Sequence, residues 1–323
     1  MRRHKHLRHV KSVVVKNESL YVSSVIVLAF LLLVIFVHEP LHREAESRQE
    51  PKEEATSPAS MFDKGAFQGL ILYARAYIVY DVVGKEVIAS SHADERLPLA
   101  SITKVMTSLT ALSLDADKND IFKIEPSFIE EGYDLGLKKN QTWELDELLK
   151  YMLIFSSNDA AIAIASHYGG KGEFVKTMNA LSSTYGLTST FTDPAGRDIG
   201  NEIGGVGTVL DAAKLFILAK TTAPDILDAT TKKRQSVYPL TGKLTGVPNT
   251  NQDIENLPGA EGSKTGYTDL AGGNLGVVVD ITVGRPVVIV VLGSTRVGRF
   301  QDVEVLYRAL EKSLKPFPIK EGE

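Results

Sequence analysis

Cysteine is absent from the 323 residues, which rules out disulfides, a thiolate nucleophile and any cysteine-ligated metal. Histidine is nearly missing where an enzyme would need it. Five of the seven histidines precede residue 43, leaving His92 and His167 for the globular part, and each of those reads as a surface or core histidine. There is no G-x-S-x-G elbow to carry a Ser-His-Asp triad and no H-E-x-x-H helix to carry zinc, so both of those hydrolase chemistries are disfavoured. The bulk of the chain carries no net positive charge either: residues 1–18 hold six Lys or Arg against one Glu, a net of +5, and the formal total of −4 leaves −9 for the rest. No nucleic-acid partner is expected from such a balance.

Long uncharged runs are scarce as well, with one exception. Residues 20–37, LYVSSVIVLAFLLLVIFV, carry no formal charge over eighteen positions, about the length of a bilayer-spanning helix. The basic tip before this run predicts a cytoplasmic N-terminus at residues 1–19, a retained anchor at 20–37 and everything later outside the cytoplasmic membrane. A cleaved signal is the alternative, but its apolar region is usually shorter and no small-x-small site follows closely. Residues 38–60 are rich in Glu, Lys, Arg, Ser and Pro and read as a tether that forms no core. A globular domain is expected over 61–315, followed by a short tail at 316–323.

Residues 75–91 read as a hairpin turning at Val83 to Lys85, and residues 274–293 as a second hairpin turning at Gly284 and Arg285. Helices are expected at Ser101–Leu114, Trp143–Phe155, Asp159–His167 and Thr208–Lys220, the last with Thr208 and Asp211 as a capping pair. A final helix carries Phe300, Val303, Leu306, Tyr307 and Leu310 on one stripe. Strands at both ends with helices between them predict an α+β fold, in which one antiparallel sheet is assembled from both ends of the chain, flanked by helices, with an inserted helical lobe. A groove between sheet and lobe is the default place for a site.

Three short elements point to chemistry. In LPLASITKVM, Lys104 lies three positions after Ser101 on a helix start, so its amine can fold back onto the serine hydroxyl and take its proton. The helix N-terminus adds backbone N–H groups where an oxyanion would form. Alone this spacing is common, and the bland reading is an exposed lysine on an amphipathic helix. The second element, SSNDAA, puts Ser156 and Asn158 in a tight turn between helices, with Asp159 as a cap, which is also plain turn chemistry. The third, GSKTGYTD, sets Lys264, Thr265 and Gly266 on an edge strand. All three occur once each, in this order and in matching structural contexts.

S-x-x-K, S-x-N and K-T-G in this order resemble the signature of the penicillin-recognising enzymes. Over residues 74–313 the chain is similar to the low-molecular-mass penicillin-binding proteins, which are serine-type D-Ala-D-Ala carboxypeptidases and related endopeptidases of peptidase family S11. The likeness extends to ADERLPLASITKVMT, SSNDAAIAIA, FVKTMN, TFTDPAG and the NTN that shortly precedes GSKTGYTDLAG. The resemblance implies a β-lactamase-like, penicillin-binding-protein-like fold. It also implies Ser101 as the acyl-enzyme nucleophile, Lys104 as its base, Ser156 as a proton relay, Asn158 as a holder of substrate backbone and Lys264 as a source of positive potential. Thr265 would bind the terminal carboxylate, with Gly266, Tyr267 and Thr268 completing the substrate-binding strand and the N–H groups of Ser101 and Tyr267 forming the oxyanion hole. Peptidoglycan stem peptides are the implied substrate, β-lactams the implied inhibitors, and no metal or cofactor is implied. Two cations near one site depress each other's pKa, so one lysine can be neutral at working pH.

There are departures. Ser157 stands where many relatives have glycine, and the chain stops soon after its last helix, without the additional β-rich domain and terminal anchor of many relatives. The N-terminal span is expected to replace that anchor. A D,D-endopeptidase on the same site is the nearest alternative. A class A β-lactamase should have Asp at 157 and a deacylating Glu, for which there is no convincing counterpart; a silent wall-binding module should have damaged motifs, and these are intact.

Overall fold

The computed structural model describes residues 60–114, 120–129 and 137–315. The chain divides into units at residues 1–58 and 59–323, and every described residue lies in the second. The expected span, and nearly all of the tether and tail, fall outside the described residues. Among those described, no helix is long and apolar enough to cross a membrane.

Five strands form the main sheet: β1 (Ala76–Asp81), β2 (Glu86–Ser91), β3 (Ala260–Thr268), β4 (Gly272–Asp280) and β5 (Pro286–Ser294). Their order is β3-β4-β5-β1-β2, antiparallel throughout. Pairing of Ala76 with Leu292 through to Asp81 with Val287 joins the two ends of the domain, as the sequence predicts. β5 reads as near-continuous Val and Ile, and β4 carries the run Val277–Val279, because both faces are covered. Val278, Val288 and Val290 face one core with Ile78 and the helical lobe, while Val277, Val279, Val287, Ile289 and Val291 face a second core beneath the C-terminal helix. Gly276 has a packing role: a Cβ there would lie 2.1 Å from the Phe216 ring.

The helices are α1 (Thr103–Leu114), α2 (Leu145–Phe155), α3 (Asn158–His167), α4 (Lys171–Thr184), α5 (Val209–Thr222), α6 (Pro224–Asp228) and α7 (Gly298–Ser313). α1 is buried from Thr103 to Ala111. It tolerates this because Ser108 and Thr110 donate to the carbonyls of Lys104 and Met106, at 3.0 and 2.8 Å. α7 buries Val303, Leu306, Tyr307 and Leu310 on the second core, with half-buried Phe300 packed against it.

Three features differ from expectation. Trp143 lies in the short strand Thr142–Glu144, paired with Ile121–Lys123, so the helix begins only at Leu145. α3 is capped by Ser157, whose hydroxyl accepts from Ala160 N at 2.9 Å; Asp159 is inside the helix, not its cap. α4 escaped prediction because its buried face is narrow, comprising Phe174, Met178 and Ser182 at four-residue steps. The Thr208 cap is present, with Asp211 N donating to Thr208 Oγ1 at 3.0 Å.

Candidate active site

Ser101 sits in the 3-10 turn Ala100–Ile102 that leads into α1, one turn earlier than the α-helix proper. The preceding Ala100 is left-handed, with φ 48°, a conformation that costs a non-glycine residue about 1 kcal/mol or more. Its surroundings hold it there: Leu99 N donates to Gly205 O at 2.8 Å, and Gly196 packs so closely that a Cβ would lie 2.1 Å from Ala100 O. Half-buried Ser101 is thereby presented at the sheet-lobe junction.

Lys104, one turn on, is completely buried. Its Nζ lies 2.9 Å from Ser101 Oγ, 2.8 Å from Asn158 Oδ1 and 2.8 Å from Ala195 O. The amide oxygen and the carbonyl can only accept, so they orient the amine by taking its hydrogens. The serine hydroxyl can donate, and it can therefore give its proton to an unprotonated Lys104.

α2 ends with Ser156 in the left-handed region at φ 63°, which turns the chain sharply before Ser157 caps α3. Ser157 itself has φ −59°, so this position needs no glycine. The turn aims Ser156 at Lys264 and Asn158 at Lys104. Lys264, 1% exposed on edge strand β3, donates to Ser156 Oγ at 2.8 Å and to Thr265 O at 2.9 Å. Burial, then the charges of Lys104 and Arg299, hold its amine well below the ordinary lysine range.

Next on β3, Thr265 Oγ1 donates to Thr250 Oγ1 at 2.7 Å. Thr250 belongs to the NTN loop, docked by Thr250 N to Ile154 O and by Asn249 Nδ2 to Thr230 O. Gly266 is where β3 passes Ser101: a Cβ there would stand 2.9 Å from Leu99 O and 3.1 Å from Ser101 N. Arg299, from the first turn of α7, donates to Gly266 O at 2.5 Å and is pushed down to about 10, first by burial and then by Arg296. Tyr267 and Thr268 continue along a groove of about 880 Å³ whose other wall includes Asn158 and the 196–200 loop.

The structure thus brings together Ser101, Lys104 and Asn158, and separately Ser156 with Lys264. It lays Thr265, Gly266, Tyr267 and Thr268 along the same edge. His92 and His167 stay apart: His92 lies beside Ser91 Oγ, and His167 packs on Phe122. Sequence reasoning assigned no role to Ala195, Thr250 or Arg299. TFTDPAG and NTN marked the first two stretches as features of the resemblance, whereas Arg299 had no signal beyond its neighbours on the apolar stripe.

Fold and site together define a serine hydrolase of the penicillin-recognising class. The family model for D-alanyl-D-alanine carboxypeptidase, peptidase family S11, matches residues 66–296. A D-alanyl-D-alanine carboxypeptidase of Mycobacterium tuberculosis is 32% identical over 200 residues, covering 61% of this chain and 67% of that protein. A D-alanyl-D-alanine endopeptidase of Escherichia coli is 28% identical over 273 residues, covering 82% and 80%. Among solved structures, penicillin-binding protein D2 of Listeria monocytogenes in its ampicillin-bound form superposes with a TM-score of 0.65 at 29% identity, over 75% of this chain and 98% of that one. The chain belongs to the S11 family of serine D-alanyl-D-alanine peptidases.

Proposed function

We propose that the protein is a D-Ala-D-Ala carboxypeptidase that trims peptidoglycan stem peptides through an acyl-enzyme on Ser101. The convergence of Ser101, Lys104 and Asn158 at one end of a groove bounded by β3 carries this reading. Thr265 takes the terminal carboxylate, and the scissile carbonyl lies between Ser101 and Gly266, its oxygen toward the N–H groups of Ser101 and Tyr267. Ser101 Oγ attacks as Lys104 accepts its proton. The departing D-alanine nitrogen gains that proton from Lys104 by way of Ser156, which Lys264 holds in place. Water then attacks the ester as the freed Lys104 takes its proton, and Lys104 passes that proton to the leaving Ser101 Oγ.

D,D-endopeptidase action on the same site is the second reading, favoured by the extent of the match to the Escherichia coli endopeptidase. A cross-link presents a D-Ala-D-X bond to the same residues. We place the protein in the cytoplasmic membrane, anchored by residues 20–37, tethered by 38–60 and with residues 61–315 outside.

Full-length protein in detergent, incubated with a stem pentapeptide, should release one D-alanine per peptide and form one covalent penicillin adduct, both lost in Ser101→Ala. Adduct persisting in that variant would move the nucleophile elsewhere. Faster cleavage of cross-linked dimers than of pentapeptide would reverse the order of the two readings. A reporter fused after Glu323 should be active only where exported proteins are; activity inside the cell would refute the topology.

A further inference from the structure

A second groove, of about 350 Å³, lies on the Ser156 side of the catalytic cluster and has no part in the acylation of Ser101. One side is the last turn of α2, where the Phe155 ring stacks on that of buried Tyr151, with 5.7 Å between centroids and 14° between planes. The other side is residues 243–248, from a hairpin that pairs Arg234–Val237 with Leu244–Pro248. The groove begins beside the residues that handle the leaving group. Phe155 adjoins Ser156, and Pro248 stands two residues, at most about 7 Å, before Thr250, whose hydroxyl accepts from Thr265. Its lining is apolar at Phe155, Leu244 and Val247, while its surroundings are basic. Residues 231–248 hold Lys232, Lys233, Arg234 and Lys243 and no acidic residue, in a chain that sums to −9 after residue 18. Lys243 lies over the exposed Tyr238 ring, 5.1 Å from its centroid, and Arg234 donates to Gly246 O at 2.8 Å. Two acids reach the hairpin from neighbouring elements, and both are engaged. Glu147 holds Lys150 and the Tyr238 N–H, and Glu255 accepts from the Lys233 N–H.

A pentapeptide ends at the carboxylate that Thr265 takes, so its leaving D-alanine stops short of this groove. A cross-linked substrate continues, in the endopeptidase reading on which this inference rests. There the departing nitrogen belongs to a diamino residue of a second stem, so an aliphatic chain runs past the scissile bond into a peptide that carries free carboxylates. We infer that the groove between α2 and the hairpin is the subsite for this departing half. The aliphatic chain lies on Phe155, Leu244 and Val247, and a carboxylate of the second stem meets Lys243 and Arg234. Burial of the chain supplies apolar contact, and the basic hairpin draws in an acidic peptide over roughly a Debye length. Binding energy gathered here is open only to substrates with a second stem, so it discriminates between dimer and pentapeptide without touching Ser101 or Lys104.

The test compares a stem pentapeptide with a cross-linked dimer of stem peptides that has no terminal D-Ala-D-Ala of its own, by kcat/KM on the full-length protein in detergent. Lys243→Glu should lower the value for the dimer about five- to tenfold, since one exposed ion contact is lost and a repulsion gained. Pentapeptide hydrolysis and penicillin acylation should stay at wild-type rates in that variant. Leu244→Ala should weaken the dimer through KM and leave kcat in place. A dimer whose departing half has its carboxylates amidated should be cleaved more slowly by the wild type and should respond little to Lys243→Glu. Dimer cleavage equal in the wild type and both variants, or a loss shared by dimer and pentapeptide, overturns the subsite and leaves the endopeptidase reading standing. A dimer left intact while pentapeptide is trimmed overturns the endopeptidase reading and the subsite together.

Discussion

Gly266→Ala separates the contribution of β3 to the reaction from its contribution to the fold. Its backbone requires no glycine, since φ is outside the left-handed region, so only space is at issue. The new methyl would lie 2.9 Å from Leu99 O, 3.1 Å from Ala100 Cβ and 3.1 Å from Ser101 N. Ordinary contacts begin near 3.5 Å, so strand and turn must separate by roughly 0.5 Å. β3 is held by its pairing with β4 and by Arg299 on Gly266 O, whereas the turn is already strained at Ala100. The turn should yield, carrying Ser101 with it. A displacement near 1 Å costs about 10²-fold in rate, so half of that predicts roughly a tenfold loss of acylation, alongside about 1–3 kcal/mol of overpacking.

The assay is the second-order rate of acylation by a fluorescent penicillin, scaled to the folded fraction and read beside Tm. Gly276→Ala is the control, because its methyl meets the Phe216 ring at 2.1 Å, in the lobe-facing core. It should destabilise more and slow acylation less. Gly266→Ala acylating at the wild-type rate, or Gly276→Ala losing as much rate per folded molecule, would refute the account of how β3 addresses Ser101.

Lys104→Ala should lose acylation nearly as fully as Ser101→Ala, with the double variant no worse, because base and nucleophile act as a unit; near-normal labelling would move the base elsewhere. Ser157→Ala should cost about 1 kcal/mol through the lost cap, and Ser157→Gly only a few tenths, measured by urea unfolding; equal losses would mean that the hydroxyl does not cap α3. Lys264→Met should weaken acylation yet raise Tm at neutral pH. The unfolded chain keeps the lysine proton up to about 10.5 while the fold releases it earlier, so wild-type stability rises with pH through that window and the gain from Met shrinks as pH approaches it; a Tm difference independent of pH would contradict this.

What was legible in the sequence is what short segments determine by themselves. Ser101 and Lys104 meet because three residues make one helical turn. Ser156 and Asn158 flank a turn whose handedness is local, and Lys264 to Thr268 lie on one strand. The sheet was legible too, since β4 and β5 are apolar on both faces and only a doubly covered strand tolerates that. Ala195 contributes a backbone oxygen ninety-one residues from its partner, which no side-chain pattern can announce.

Arg299 was concealed for a different reason. On the sequence it borders the apolar stripe of α7, where a cation normally reaches solvent. Packing α7 against β4 and β5 buries it instead, with its guanidinium on Gly266 O and its charge opposing that of Lys264, which already opposes Lys104. Three basic side chains gathered in poor contact with water work against folding, because each must either give up its charge or hold it away from solvent. A chain selected for stability alone would replace them with apolar groups. Their joint burial makes sense where the occupant brings negative charge of its own, first as a terminal carboxylate and then as an oxyanion, so that the field which strains the empty site is satisfied when substrate arrives.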